Sequence, residues 1–247
     1  MVTDTVTFIE LDSVDSTNSW LLAQLRSQNV ACPVAVMAHQ QTRGRGRMGR
    51  TWHAQRGHSL CLSVALQFRS LPPAWVTLLT GLKVCQFLET RGISGLGLKW
   101  PNDLMVGSDK LGGILCESAS VSGQAVLVIG VGVNLLPVET GNAATSLSNL
   151  GAWSTQSDVI SLAKDLAHCL CREVPAGLTG QFDAISNQCR SLDVFMGQPV
   201  QIIEGNQITL CGTARGVNEQ GAYLIETSQG LQAVSSGDVS LRQAPHV

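Results

Sequence analysis

Apolar positions along this chain follow two rhythms, and the balance between them shifts near residue 196. Residues 6–11 (VTFIEL), 33–40 (PVAVMAHQ), 58–68 and 124–135 carry compact β-forming runs that predict strands. Between the first two, residues 15–28 (DSTNSWLLAQLRSQ) start with cap-type side chains and then set Trp20, Leu21, Leu22 and Leu25 on one helical face. Pro72 and Pro73 introduce an apolar-periodic helix that stops at Gly92, with Pro73 suited to its first turn. Residues 96–118 read as strand, turn, strand, with 104–106 and 111–117 flanking the tight connection Gly107-Ser108-Asp109. Two further helices are predicted over 157–174 and 179–192. Beyond residue 196 the text becomes short β-rich pieces punctuated by glycine, which fits a small antiparallel barrel of SH3 size. The expectation is an α+β protein divided into residues 1–194 and 195–247.

Composition narrows the classes. Hydrophobic residues make up 44% and charged ones 14% of 247 residues, enough apolar material for a real core. A net charge of −2 argues against broad nucleic-acid coating, which needs a basic face, so an anionic ligand must be held by a few local groups. The eight cysteines lack CxxC spacing, and most sit in apolar runs, which reads as buried thiols in a reducing compartment. Cys169 and Cys171 have no obvious second His/Cys pair to make a metal site. The N-terminus carries acids where a signal peptide needs bases, and no apolar run approaches membrane-spanning length. A cytoplasmic protein with no membrane partner is expected.

Against that acidic background, residues 43–50 (RGRGRMGR) hold four of the 16 basic side chains, spaced by three glycines. Arginine keeps its charge and presents a planar fork that matches carboxylate and phosphate oxygens. Interleaved glycine lets the backbone curl close to a ligand and makes a loop that is mobile until an anion closes it. Alone, the run is equally compatible with a generic RG-rich nucleic-acid loop. In KWPNDLMVGSDKLGGIL, Asp103 and Lys110 lie at opposing ends of a hairpin and reach a common point. An isolated pair of this kind is more often structural than a charge stabiliser, but Gly112-Gly113 clears room for a flat ligand beside it. Ser16, Thr17 and Asn18 either cap a helix or offer hydrogen bonds to a polar ring. Glycines in IGVGVNL imply that something approaches that strand closely.

Taken in order, DSTN, QTRGRGRMGRTW, LKWPNDL with KLGGIL, and IGVGVNL closely resemble the biotin protein ligase family, in its short form without an N-terminal DNA-binding domain. The first strand starts too early for such a domain to precede it, so no DNA partner is expected. The resemblance implies a mixed sheet flanked by helices, related to the core of class II aminoacyl-tRNA synthetases, plus an SH3-like C-terminal barrel. It also implies two steps: ATP and biotin give biotinyl-AMP, and a lysine of apo biotin carboxyl carrier protein (of acetyl-CoA carboxylase) then takes the biotin. By the same resemblance Lys110 stabilises charge between the biotin carboxylate and the α-phosphate, while Arg45 and Arg47 clamp both groups. Ser16, Thr17, Asn18 and Gln41 face the ureido ring, and Gly44, Gly113, Gly130 and Val131 shape the biotin slot. Arg50, Trp52, Asn102, Asp103, Asn134 and Arg242 fall on the ATP side. Magnesium is expected with the nucleotide, held mostly by phosphate oxygens, and no protein ligands for it are assigned. Monomer and homodimer are both compatible with the family.

One departure stands out. Where the family has a serine-proline turn and a GGNL-type strand entry, this chain reads HAQRGHSLCLS, placing His58 and Ser59 there. A lipoate or octanoate ligase or transferase of the same fold is the alternative, and the full arginine run, KWPND and the polar ring-facing positions stand against it.

Overall fold

The computed structural model describes residues 6–138, 143–154, 157–204, 207–235 and 239–243. In chain order the elements are β1 (Thr7–Leu11), α1 (Thr17–Arg26), β2 (Val34–Ala38), β3 (Ser59–Phe68), α2 (Val76–Glu89), β4 (Leu96–Lys99), β5 (Asp103–Val106), β6 (Asp109–Val121), β7 (Gln124–Asn134), α3 (Val159–Leu178) and α4 (Phe182–Leu192). The C-terminal part adds β8 (Pro199–Glu204), β9 (Gln207–Val217), β10 (Tyr223–Thr227), β11 (Gly230–Val234) and β12 (Val239–Gln243). The first seven strands form one sheet in the order β1-β2-β3-β7-β6-β5-β4, and the last five form a second in the order β11-β10-β9-β8-β12. Only β1 and β2 run parallel, as the α1 crossover between them requires; the other ladders are antiparallel. This is the mixed sheet with flanking helices and a C-terminal antiparallel unit that the sequence predicted. No described helix is long and apolar enough to cross a membrane.

Strand alternation sorts the two faces of the large sheet. Ala35, Met37, Leu60, Leu62, Val64, Leu66, Leu127, Ile129, Val131 and Val133 join the core that α2 and α3 cover. Their neighbours Val34, Val36, Ala65, Val126 and Val128 pack instead against Leu21, Leu22 and Leu25 of α1. Each fully buried leucine contributes roughly 1.5–3 kcal/mol by leaving water, so sliding β3 by one residue would invert this whole arrangement. Because α1 is only 10 residues long, it covers one end of its face. Along the rest, the residues that alternate outward are Cys61, Ser63, Gly113, Gly130 and Gly132, paired as Cys61–Gly132, Ser63–Gly130 and Gly113–Gly132. Small side chains there leave the open floor on which the candidate site is built.

Several local expectations need correction. Pro73 lies in the turn ahead of α2, not in its first turn; its carbonyl accepts the Val76 amide at 3.0 Å. Residues 96–99 form a separate strand, β4, so the 96–118 segment is three strands, and the β5–β6 turn contains only Gly107 and Ser108. Cys211 is exposed, unlike the buried Cys61, Cys85, Cys171 and Cys189, and all eight thiols are free.

The small sheet docks on the large one through aromatic and polar contacts. Trp100 and Tyr223 rings lie 5.3 Å apart, and the Trp100 indole donates to the Gly221 carbonyl at 3.2 Å. The Tyr223 hydroxyl donates to Asp193 at 2.7 Å. That carboxyl is raised by burial, partly offset by the donors Tyr223 and the Phe195 amide. Val200, Ile202, Ala214, Ile225 and Leu241 run into the same core as α2 and α3. This docking carries Leu241 and Arg242 to the rim of the cleft.

Candidate active site

A cleft of about 370 Å³ opens on the glycine floor between the arginine loop and the β4–β6 strands. Ser16 caps α1, and the Thr17 amide, one of the donors a helix start leaves without an internal partner, donates to Gln41 Oε1 at 2.8 Å. The cap reading of DSTN therefore holds, and the same residues also line the cleft. Below them Ser63 is fully buried, with its Oγ 2.7 Å from Thr17 Oγ1 and 2.6 Å from Asn18 Oδ1.

The arginine run folds back on itself. The Gly46 amide donates to the Arg50 carbonyl at 2.7 Å and Trp52 to Gly44 at 2.9 Å, with Met48 and Gly49 at the tip in the left-handed region (φ 55 and 70). Gly44 is needed for contact, since a Cβ there would sit 2.3 Å from the Trp52 carbonyl oxygen. Arg45 turns toward α1, donating to Ser19 Oγ at 2.9 Å and to Glu117 Oε1 at 2.8 Å. Arg47 is half-buried, and its charged form is disfavoured by that burial, with the Asp103 carboxylate working the other way.

At the opposite wall, Lys110 Nζ lies 2.5 Å from Asp103 Oδ1. A bulge between Leu104 and Met105 brings the two together, because it shifts the β5–β6 register just where the hairpin meets the cleft. Lys99 is lowered by burial and then by the neighbouring charge of Arg242, with Lys110 and Arg50 adding to the push. In all, Arg45, Arg47, Arg50, Lys99, Lys110 and Arg242 line the cleft, and among the described lining residues Asp103 is the single carboxylate. A locally cationic pocket in an acidic chain is a site for a small, multiply charged anion.

Of the residues expected at the site, Ser16, Thr17, Asn18, Gln41, Arg45, Arg47, Arg50, Trp52, Asn102, Asp103, Lys110, Gly113, Gly130, Val131 and Arg242 line this cleft. Gly44 and Asn134 do not. Asn134 is buried and donates to the Lys110 and Thr145 carbonyls at 3.4 and 3.0 Å, bracing the strand that carries the lysine. Asn102 is similarly occupied by the Ile114 carbonyl at 2.8 Å. The closeness predicted at the β7 glycines is real but is satisfied from within. A Cβ on Gly130 would meet Asn18 Oδ1, and one on Gly132 the Trp52 ring, each at 2.6 Å. Trp52 thus lies on the floor, and its indole nitrogen is buried without a hydrogen-bond partner. His58 and Ser59, the sequence departure, lie outside the lining; the His58 carbonyl receives the Leu135 and Leu136 amides. Sequence reasoning missed Glu117 and Ser63. Period-2 alternation from Gly113 through Leu115 would have put Glu117 on the cleft face.

These features describe a cationic cleft that suits a small, multiply charged anion, and sequence comparison gives the family. The Biotin/lipoate A/B protein ligase family matches residues 10–134, and the Biotin protein ligase C terminal domain matches residues 195–242. The chain is 34% identical over 246 residues to the bifunctional ligase/repressor BirA of Escherichia coli, spanning 95% of this chain and 74% of that protein. It is 34% identical over 236 residues to the biotin–[acetyl-CoA-carboxylase] ligase of Mycobacterium tuberculosis, spanning 91% and 85% respectively. Among solved structures, biotin protein ligase from Aquifex aeolicus in complex with biotin and ATP superposes with a TM-score of 0.79 at 29% identity, covering 96% of this chain and 99% of that one. The chain belongs to the biotin/lipoate protein ligase family.

Proposed function

We propose that this protein is a biotin protein ligase, which joins biotin to ATP as biotinyl-AMP and passes it to a lysine of a biotin carboxyl carrier protein of acetyl-CoA carboxylase. The observation that carries this is the cationic cleft with Lys110 and Asp103 at one wall and the polar Thr17–Gln41 corner at the other. The two sets of groups suit a substrate with a carboxylate at one end and a hydrogen-bonding ring at the other. The similarity to the biotin–[acetyl-CoA-carboxylase] ligase of Mycobacterium tuberculosis and to the Aquifex aeolicus biotin protein ligase favours this over lipoate activation. In this reading residues 1–194 are the catalytic unit and 195–247 a docking unit that brings Arg242 to the nucleotide side.

The chemistry follows from charge. A carboxylate oxygen must attack the α-phosphorus of ATP, and two anions at about 4 Å repel by about 4 kcal/mol in a partly desolvated site. In this reading Lys110 neutralises both, exchanging its contact with Asp103 for one with the phosphate as the phosphorus becomes five-coordinate. Pyrophosphate leaves. Arg47 and the folded loop hold the mixed anhydride away from water. A neutral lysine amine of the carrier then attacks the anhydride carbonyl, forming the amide, losing its proton and releasing AMP.

Magnesium enters this proposal only as the counter-ion of the nucleotide. Among the described residues no group of three or more His, Cys, Asp or Glu gathers to hold a metal. The described residues therefore do not form a metal cage.

The test is exchange of labelled pyrophosphate into ATP with biotin, lipoate and octanoate in parallel. Exchange with biotin alone is expected. Exchange driven equally by lipoate would overturn the substrate assignment, and silence with all three would overturn the activity.

A further inference from the structure

Lys99 and Trp100 stand next to each other on the cleft wall, at the end of a strand with little support of its own. That strand, β4, has four residues and lies at the edge of the large sheet, paired with β5 on one side. Its other side is covered by the segment that leads from α4 to β8. The Val194 amide donates to the Leu98 carbonyl at 3.1 Å. A Cβ on Gly97 would lie 2.5 Å from Val194 Cγ1, so the glycine is what lets the segment seat. Asp193, the residue that ends α4, stands in this segment with one donor on each of its two oxygens. Oδ1 accepts the Phe195 amide at 3.0 Å, and Oδ2 accepts the Tyr223 hydroxyl at 2.7 Å. Each aromatic ring held in this way backs one of the two wall residues. The Lys99 ammonium lies 5.7 Å from the centroid of the Phe195 ring. The Trp100 ring lies 5.3 Å from that of Tyr223, and its indole donates to the Gly221 carbonyl. Burial and then the charge of Arg242 oppose the charge on Lys99, with Asp103 working the other way. A ring face that attracts cations therefore helps to decide where the ammonium settles.

We propose that Asp193 is a positioning residue for the nucleotide side of the cleft. Through one oxygen it holds Phe195 behind Lys99, and through the other it holds Tyr223 behind Trp100. Asp193 itself does not line the cleft and acts only through these neighbours. The small C-terminal sheet thereby does more than carry Arg242 to the rim, because its docking also sets the wall from which Lys99 points. This rests on the functional reading above and deepens it. The Thr17–Gln41 corner is built on α1 and the segment after β2, away from this latch, so a disturbed latch changes the handling of ATP and leaves biotin binding in place.

The experiment measures pyrophosphate exchange against ATP concentration at saturating biotin, and biotin affinity by titration calorimetry, in the full chain. The variants are Asp193→Ala, Asp193→Asn, Phe195→Leu, Lys99→Met, and Phe195→Leu combined with Lys99→Met. Asp193→Ala releases both rings and is expected to lower kcat/KM for ATP about 10- to 100-fold, with biotin affinity unchanged. Asp193→Asn can still accept the Phe195 amide and donate to the Tyr223 oxygen, so it is expected to stay within about threefold of wild type. Phe195→Leu keeps the apolar bulk but gives up the ring face, and is expected to lower kcat/KM for ATP about 3- to 10-fold. In the Lys99→Met background the same change is expected to cost less than about twofold, because the group it positions is gone. Equal losses for biotin and ATP in Asp193→Ala, no loss for ATP, an Asn variant as impaired as the Ala one, or an undiminished effect of Phe195→Leu beside Lys99→Met would each overturn the proposal. Should Asp193→Ala fail to fold, the Phe195→Leu and Lys99→Met comparison decides: coupling sustains the latch and additivity refutes it. Absence of biotin-dependent exchange in wild type would refute the functional reading instead, so the two failures are distinct.

Discussion

Replacing Lys110 by Met keeps the length of the side chain and removes its charge. The effect on adenylate formation follows from where that charge lies. The Lys110 side chain is 36% exposed and its partner Asp103 24%, so the effective dielectric falls between water and a buried site. A cation about 4 Å from an anion is worth about 1 kcal/mol in the first limit and about 4 in the second. Serving two anions in the transition state, it contributes roughly 2–4 kcal/mol, and its loss slows adenylation about 30- to 1,000-fold. The variant has a second defect, because it leaves the Asp103 carboxylate uncompensated where the α-phosphate must come. Adding Asp103→Asn to Lys110→Met removes that repulsion and is expected to recover about tenfold of the lost rate. Single-turnover pyrophosphate release at saturating biotin and ATP measures both numbers. A normal rate in Lys110→Met would refute the role of the lysine, and a double variant no faster than the single would refute the electrostatic account of the pair.

Arg47→Gly is expected to loosen the hold on the adenylate, so that exposed lysines on a bystander such as serum albumin become biotinylated; blotting with streptavidin checks this, and labelling confined to the carrier would count against it. Gly132→Ala would push a methyl to 2.6 Å from the Trp52 ring, whereas at Gly113 the nearest atoms lie 3.7 Å from the new carbon. The first change is expected to lower stability by about 1–3 kcal/mol and shift the tryptophan fluorescence, and the second to leave the urea midpoint of the free protein in place. Burial raises Asp193 above its ordinary value of 3.8, so the folded state holds that proton more tightly than the unfolded chain. Its contribution is complete below the ordinary value and is lost as pH rises through the folded one. Asp193→Asn, which can still accept the Phe195 amide and donate to the Tyr223 oxygen, is therefore expected to gain stability relative to wild type at pH 7 and to lose that advantage toward pH 4, read from urea midpoints.

The strands and helices were legible because local rhythm dictates them. The even positions of β3 and the odd positions of β7 face one core, and their alternates face the other, as the sequence pattern implies. The arginine run and the Lys110 hairpin were legible as anion chemistry because charge clustered in an acidic chain has few other uses. What stayed hidden depends on contacts far apart in sequence. Glu117 meets Asn18 across 99 positions and Arg45 across 72, and no local spacing announces either pair. The β4 strand was invisible as a separate element because its four residues pair with β5 around a three-residue turn that contains Pro101. Asn134 lies outside the cleft lining for a related reason. Its position on β7 was right, but the side chain is consumed by the Lys110 and Thr145 carbonyls, which only the register reveals.

The central claim is that one cationic cleft makes a mixed anhydride from two anions and keeps it from water. The most direct measurement is to incubate the purified protein with biotin and ATP, remove free ligand rapidly, and identify what remains bound by mass spectrometry. Close to one equivalent of biotinyl-AMP, discharged on adding an apo carrier domain with release of AMP, is the result the account predicts. Recovery of biotin and ATP unchanged, or of free biotin and AMP with no bound adenylate, would contradict it.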